Sequence, residues 1–204
     1  DVELTGNYRE DLLNIAKSQL GYKESEANYN VLQDGTTIKG YSRYGSFVDD
    51  PYIDWNSAFV SFCLNYAKID FIPFELDINK CYEKISTDEN LYFAKGEYDP
   101  QAGDLIFFDK DKDGKCDTVG IVSEVNDNTV ITIEGDLNNT VAYGNYSLDD
   151  DAVLGYAKTD EVKEVEEEIV EEDITPAQKP MLMAPLMAPT PNGTETTKVE
   201  VEKV

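Results

Sequence analysis

The chain has 204 residues and a formal net charge of −25 at pH 7, of which −17 falls on residues 1–159 with their 30 acidic and 13 basic side chains. This charge excludes nucleic acid and anionic lipid as partners, because both require clustered Lys and Arg side chains. Three cysteines are too few for a disulfide scaffold, and no run of residues is long and apolar enough to predict a membrane-spanning helix.

Three helices are predicted in the first half of the chain. Residues 7–20 carry apolar side chains at helical spacing, with Asn7 and Glu10 as a capping-box-like start and Gly21 as a stop. Residues 54–67 are apolar on almost all sides, which predicts a central helix that is buried. A short helix is also predicted near residues 79–85.

Short segments rich in Val, Ile and aromatic residues follow, separated by turn residues, and they predict strands. The segments are LIFFD (105–109), VGIVSEV (119–125), TVITIEG (129–135), TVAYGNY (140–146) and VLGYA (153–157). Helices followed by an antiparallel meander indicate an α+β fold. We expect the N-terminal helices to pack on a five- or six-stranded sheet.

The composition changes near residue 159, because all 22 aromatic residues lie at or before Tyr156. Residues 1–159 are therefore predicted to form the folded domain. Residues 160–193, first acidic and then Pro-rich, are predicted to be a disordered linker. The alternating sequence of residues 194–204 predicts the first strand of a following β-sandwich domain.

Several ordered motifs carry a family resemblance. IDWNSAFVSFCLNYA (53–67), DPQAGDLIFFD (99–109), DTVGIVSEV (117–125) and TIEGD (132–136) resemble the CHAP domain, a cysteine, histidine-dependent amidohydrolase/peptidase with a papain-like fold. The resemblance covers roughly residues 8–158. It implies an exported bacterial protein of the cell surface or cell wall, with activity on peptidoglycan.

The same resemblance implies a cysteine after the Asp-Trp pair, a histidine opening the VGIV strand, a glutamate and an asparagine. These positions correspond to Asn56, Thr118, Glu134 and Asp136, so three of the four are substituted. The chain also contains no histidine. A carboxamide is not a usable nucleophile and threonine cannot accept the proton, so the ordinary mechanism is lost.

Asn56 has two compatible interpretations. It can cap the central helix, since Asn is favoured at helix starts. Alternatively, Trp55, Asn56, Thr118, Glu134 and Asp136 can line a remaining groove that binds a peptide without cutting it.

The cysteines do not replace the missing nucleophile in these interpretations. Cys63 lies two turns further along the central helix and is expected in the core. Cys116 precedes Thr118 on the same strand face but would have no histidine as base. The sequence leaves open a disulfide between Cys81 and Cys116.

The segment DKDKDGKCD (109–117) resembles a calcium-binding loop. Asp109, Asp111, Asp113 and Asp117 have the spacing of calcium ligands, and Gly114 stands at the turn. The twelfth position is Gly120, where a glutamate ligand would be expected. A solvated Asp-Gly hairpin turn is the alternative, and no other cofactor is expected.

Three function classes remain open for this domain, which we expect to be a monomer. The first is a non-catalytic module that binds peptidoglycan peptide, and the second is an adhesin head that binds a host or other partner protein. The third is a residual peptidoglycan amidase or endopeptidase, against which the missing nucleophile and histidine argue. The charge of −17 favours an uncharged or basic partner.

Overall fold

The computed structural model describes residues 2–160, in which four helices accompany eight strands. The helices are α1 (Tyr8–Ser18), α2 (Arg43–Phe47), α3 (Asn56–Tyr66) and α4 (Ile78–Ile85). The strands are β1 (Ser25–Val31), β2 (Ile38–Tyr41), β3 (Tyr92–Ala94), β4 (Leu105–Phe108), β5 (Thr118–Asn126), β6 (Thr129–Glu134), β7 (Ala142–Ser147) and β8 (Val153–Ala157). The α+β class is therefore confirmed.

The main sheet has six strands in the order β3-β8-β4-β5-β6-β7, and each neighbouring pair is antiparallel. Its centre is fixed by the register of β5, in which Ile121 lies opposite Leu105 on β4 and Ile133 on β6. The hairpin of β1 and β2 forms a separate two-stranded sheet. That hairpin, α2 and β3 were not predicted from the sequence.

Alternation along the strands divides the core into two apolar clusters, one on each face of the sheet. On the first face, Val119, Ile121 and Ile133 belong to the same cluster as residues of α1 and α3. The second face carries Ile106, Phe108, Val122, Val130 and Tyr156. Both clusters are buried, and the second consists of residues from the strands themselves and from adjacent loops.

The helices follow the expected sequence signals. Asn7 caps α1, because its side-chain oxygen accepts the backbone N–H of Glu10 at 3.1 Å. Helix α3 is buried along most of its length and contacts β5 and β6. Its close approach to the end of β6 requires glycine at position 135, where a Cβ would lie 2.4 Å from the Cβ of Phe59.

Within residues 2–160, no helix combines the length and the apolar character needed to cross a lipid bilayer. The predicted linker over residues 160–193 lies outside the described residues, apart from its first residue, and so does the predicted strand over residues 194–204.

Candidate functional site

The first residue of α3, Asn56, ties the helix to two strands. Its Nδ2 donates hydrogen bonds to the carbonyl oxygens of Val119 and Gly135, both at 3.0 Å, and its Oδ1 accepts the N–H of Val119 at 2.9 Å. The carboxamide thus pairs with β5 much as a neighbouring strand would. None of these three hydrogen bonds goes to a backbone N–H of α3, so the interpretation of Asn56 as the helix cap is wrong.

Asp136 holds the other side of the helix start. Its Oδ2 accepts the backbone N–H of Trp55 at 2.9 Å, from a left-handed backbone conformation with φ of 60°. Burial raises the pKa of Asp136 to about 6, and the nearby carboxylates of Glu24 and Asp54 act in the same direction. Asp136 therefore supplies the hydrogen bond at the helix start that had been expected from Asn56.

Trp55 lies within the core rather than on an open surface. Its side chain is fully buried, and its ring stacks on Tyr44 with centroids 5.2 Å apart. The indole Nε1 donates to the carboxylate of Glu24 at 2.9 Å. Trp55 thus packs in the core next to the start of α3 and does not line an open groove.

Glu134 ends β6 on the face of the sheet opposite α3. Its neighbour Ile133 belongs to the cluster under the helices, and alternation turns Glu134 to the other side. A Cβ on Gly120 would lie 3.0 Å from the Cγ of Glu134, which places the two positions on the same face. By the same alternation Thr118, the first residue of β5, lies on the face of Gly120.

The Glu134 carboxylate is only 1% exposed and is fully engaged. It accepts the hydroxyl of Thr132 at 2.6 Å and the ammonium of Lys110 at 3.0 Å. Lys110 also donates to the hydroxyl of Tyr146 at 3.0 Å and lies over the ring of Phe108. Burial opposes the charge on Lys110, but attraction to Glu134 and hydrogen bonds raise its pKa above the usual value.

The four positions assigned from the motifs are therefore only partly brought together. Asn56 and Asp136 meet at the start of α3. The backbones next to Thr118 and Glu134 are bonded to Asn56 through Val119 and Gly135, but the Glu134 side chain points away from the helix. The sequence did not predict Lys110 as the partner of Glu134, because Lys110 belongs to the aspartate loop and lies 24 positions before Glu134.

The three thiols are free and buried. Burial raises the pKa of Cys63 well above its usual value and that of Cys116 to about 12. A thiolate, the nucleophilic form, is therefore strongly disfavoured at both residues. Cys63 lies in the core as expected.

The aspartate loop between β4 and β5 gathers four carboxylates. One oxygen from each of Asp109, Asp111, Asp113 and Asp117 lies within 4.8 Å of the others. The carboxylate of Asp109 accepts the backbone N–H groups of Asp113 and Gly114, at 3.1 and 3.0 Å. These bonds fold the loop around the carboxylates, whose oxygen atoms are of the type that calcium prefers.

A cleft of about 660 Å³ lies next to the start of α3. We call it the hairpin cleft, because residues of β1 and β2 form one side of it. Its other sides come from residues 50–54 and from Leu76 and Asp77 before α4. Asp54, two residues before Asn56, joins the cleft to the helix start.

Comparison with models of known protein families finds no match for this chain, and comparison with curated proteins finds no significant match either. Function is therefore inferred from the geometry of the site and from the motif resemblance.

Proposed function

We propose that residues 1–159 are a catalytically inactive CHAP-like domain of an exported bacterial cell-surface protein. Its role is to bind or display a ligand, either a peptidoglycan peptide or a partner protein. The papain-like fold, the extracellular location and the bacterial source belong to this proposal. They are supported by the ordered motifs at residues 53–67, 99–109, 117–125 and 132–136 and by the α+β architecture.

The observation that carries the proposal is the hydrogen bonding of Asn56. The resemblance places a nucleophilic thiol at this position, at the start of a helix that packs on the strand carrying position 118. The residue found there is a carboxamide whose donor and acceptor groups are all directed at Val119 and Gly135. Such a group holds the scaffold together and has no free atom to attack a carbonyl carbon.

A residual amidase or endopeptidase is disfavoured by three further observations. The whole chain lacks histidine. The thiols of Cys63 and Cys116 are buried with raised pKa values. The Glu134 carboxylate, which would orient a histidine, is instead paired with Lys110.

Incubation of the purified chain with peptidoglycan sacculi tests this proposal. We expect no release of soluble fragments, while co-sedimentation with the sacculi would identify the wall peptide as a ligand. A loss of turbidity that disappears in the Cys116→Ala variant would show a working hydrolase and contradict the proposal. Cys63→Ala is the matched control, because Cys63 lies seven residues beyond Asn56 on α3, whereas Cys116 lies two residues before Thr118.

We also propose that the aspartate loop binds calcium weakly. The four carboxylate oxygens within 4.8 Å of one another favour this role, since their mutual repulsion is relieved by a divalent cation. A glutamate ligand is not present at position 120, so the affinity is expected in the range typical of extracellular modules, roughly 0.1–1 mM.

A further inference from the structure

The hairpin cleft combines a concave shape with exposed apolar side chains. Leu32, directly after β1, is 39% exposed and Leu76 before α4 is 43% exposed, and both line the cleft. A volume of about 660 Å³ is within the range of ligand-binding clefts, roughly 300–1,000 Å³.

The charge of the lining is strongly unbalanced. Asp50, Asp54 and Asp77 line the cleft, whereas Lys39 is its only basic side chain. Lys39 is already paired with Asp54, and Asp77 is paired with Lys80, which does not line the cleft. Within the described part of the chain, the Asp50 carboxylate has no hydrogen-bond or ion-pair partner. A cation that enters the cleft would thus find a carboxylate that no lysine or arginine neutralises.

The charge of the whole domain acts in the same direction as the lining. Residues 1–159 carry −17, which attracts a basic partner over distances of the Debye length and repels an acidic one. Long-range attraction and the local carboxylates therefore select the same partner chemistry. Exposed leucines beside the carboxylates require that this partner also present apolar side chains.

We propose that the hairpin cleft binds a basic, apolar peptide segment of a partner protein, with a Lys or Arg side chain directed at Asp50, beside the Asp54–Lys39 pair, and aliphatic side chains packed on Leu32 and Leu76. This inference rests on the proposed binding role and names the surface and the partner class for it. It uses no residue that the motif resemblance assigns to catalysis.

Fluorescence anisotropy with a labelled, acetylated Leu-Lys-Leu-Lys-Leu amide tests the proposal on the full chain. Asp50→Asn/Asp54→Asn should weaken binding by about fivefold or more, because it removes the unpaired carboxylate of Asp50 and leaves Lys39 in the cleft without its counter-charge. Asp127→Asn/Asp149→Asn changes the net charge equally at exposed positions remote in sequence, and should change affinity less than about twofold. Trp55 fluorescence reports whether each variant remains folded.

The apolar half of the proposal has its own pair of variants. Leu32→Ser/Leu76→Ser should weaken binding by about threefold or more, whereas Tyr143→Ser, at an exposed position on β7, should leave it unchanged. A peptide with Glu in place of Lys should not bind, and one with Ser in place of Leu should bind more weakly.

Two results would overturn the inference. Equal weakening by the two Asp→Asn pairs would show that net charge alone attracts the peptide, and no binding of the lysine peptide would remove the partner class. A parallel titration with a peptidoglycan stem peptide that carries no net positive charge separates these failures from failure of the proposed function. Binding of the stem peptide alone would leave the binding role intact and refute only the basic partner.

Discussion

Replacement of Asn56 by alanine should destabilise the domain although it removes only a partly exposed side chain. The change deletes three hydrogen bonds, two from Nδ2 and one to Oδ1. Their partners are backbone groups of Val119, which is fully buried, and of Gly135, which is also buried. These groups would lose their partners at the junction of α3 with β5 and β6.

The magnitude follows from the usual net value of a hydrogen bond. At about 0.5–1.5 kcal/mol each, three bonds contribute roughly 1.5–4.5 kcal/mol to the free energy of unfolding. Alanine is the better helix former and returns about 0.5 kcal/mol. The expected loss is therefore about 1–4 kcal/mol, which corresponds to a fall in melting temperature of roughly 2–16 °C for a domain of this size.

Urea unfolding followed by circular dichroism and by the fluorescence of Trp55, the only tryptophan, measures this loss. The matched control is Asn65→Ala on the same helix, where the asparagine is exposed and should change stability by no more than about 0.5 kcal/mol. If Asn56→Ala is as mild as Asn65→Ala, then the carboxamide does not hold α3 to the sheet and the structural role assigned to it is refuted.

Three further predictions concern charged side chains around the site. Asp136→Asn should flatten the dependence of the free energy of unfolding on pH. The folded-state pKa of Asp136, about 6, exceeds the usual value of 3.8, so the wild type loses stability as the pH rises from about 4 through about 6. Equal slopes of stability against pH for the two proteins, measured by urea unfolding, would contradict this. Lys110→Met should lower the free energy of unfolding in urea by about 2 kcal/mol, because it leaves the buried Glu134 carboxylate without a counter-charge. The loss is smaller than for a fully buried pair, because Lys110 is partly exposed. Lys112→Met, at an exposed position, is its control, and an equal effect of the two changes would argue against the pairing. Millimolar calcium should raise the melting temperature by a few degrees, and Asp113→Asn should abolish the rise; identical curves in calcium and in chelator would reduce the loop to a turn.

Elements with a strong local signal could be predicted from the sequence. The apolar periodicity of residues 7–20 and 54–67 located α1 and α3 to within a few residues at each end. The strand segments from residue 105 onward were also found, because β-branched and aromatic residues alternate with turns there. The start of β7 was placed two residues too early, since Val141 bonds to Tyr22 instead of β6.

Elements that depend on distant partners could not be predicted. Strand β1 has the sequence SEANYNV and is almost wholly exposed, so it shows no alternation of buried and polar residues. Strand β3 has three residues and depends on pairing with β8. At the site, Asn56 forms hydrogen bonds to Val119 and Gly135, which are separated from it by 63 and 79 positions in the sequence, and no local pattern encodes such contacts. The face of the sheet on which Glu134 lies could have been predicted, because Ile133 is a core residue and its neighbour in a strand points to the opposite face.

The geometry at the start of α3 bears on the proposal that this is a catalytically inactive CHAP-like domain. A thiol at position 56 would lose the three bonds of the carboxamide, so Asn56→Cys alone should cost stability before it provides any reactivity. A histidine at position 118 would still lack an orienting carboxylate, because Glu134 is neutralised by Lys110. Lys110 therefore joins the three substituted positions as a fourth obstacle. Because the four act on different requirements of the mechanism that the resemblance implies, we expect no single reversal to restore it, which agrees with the proposed binding role.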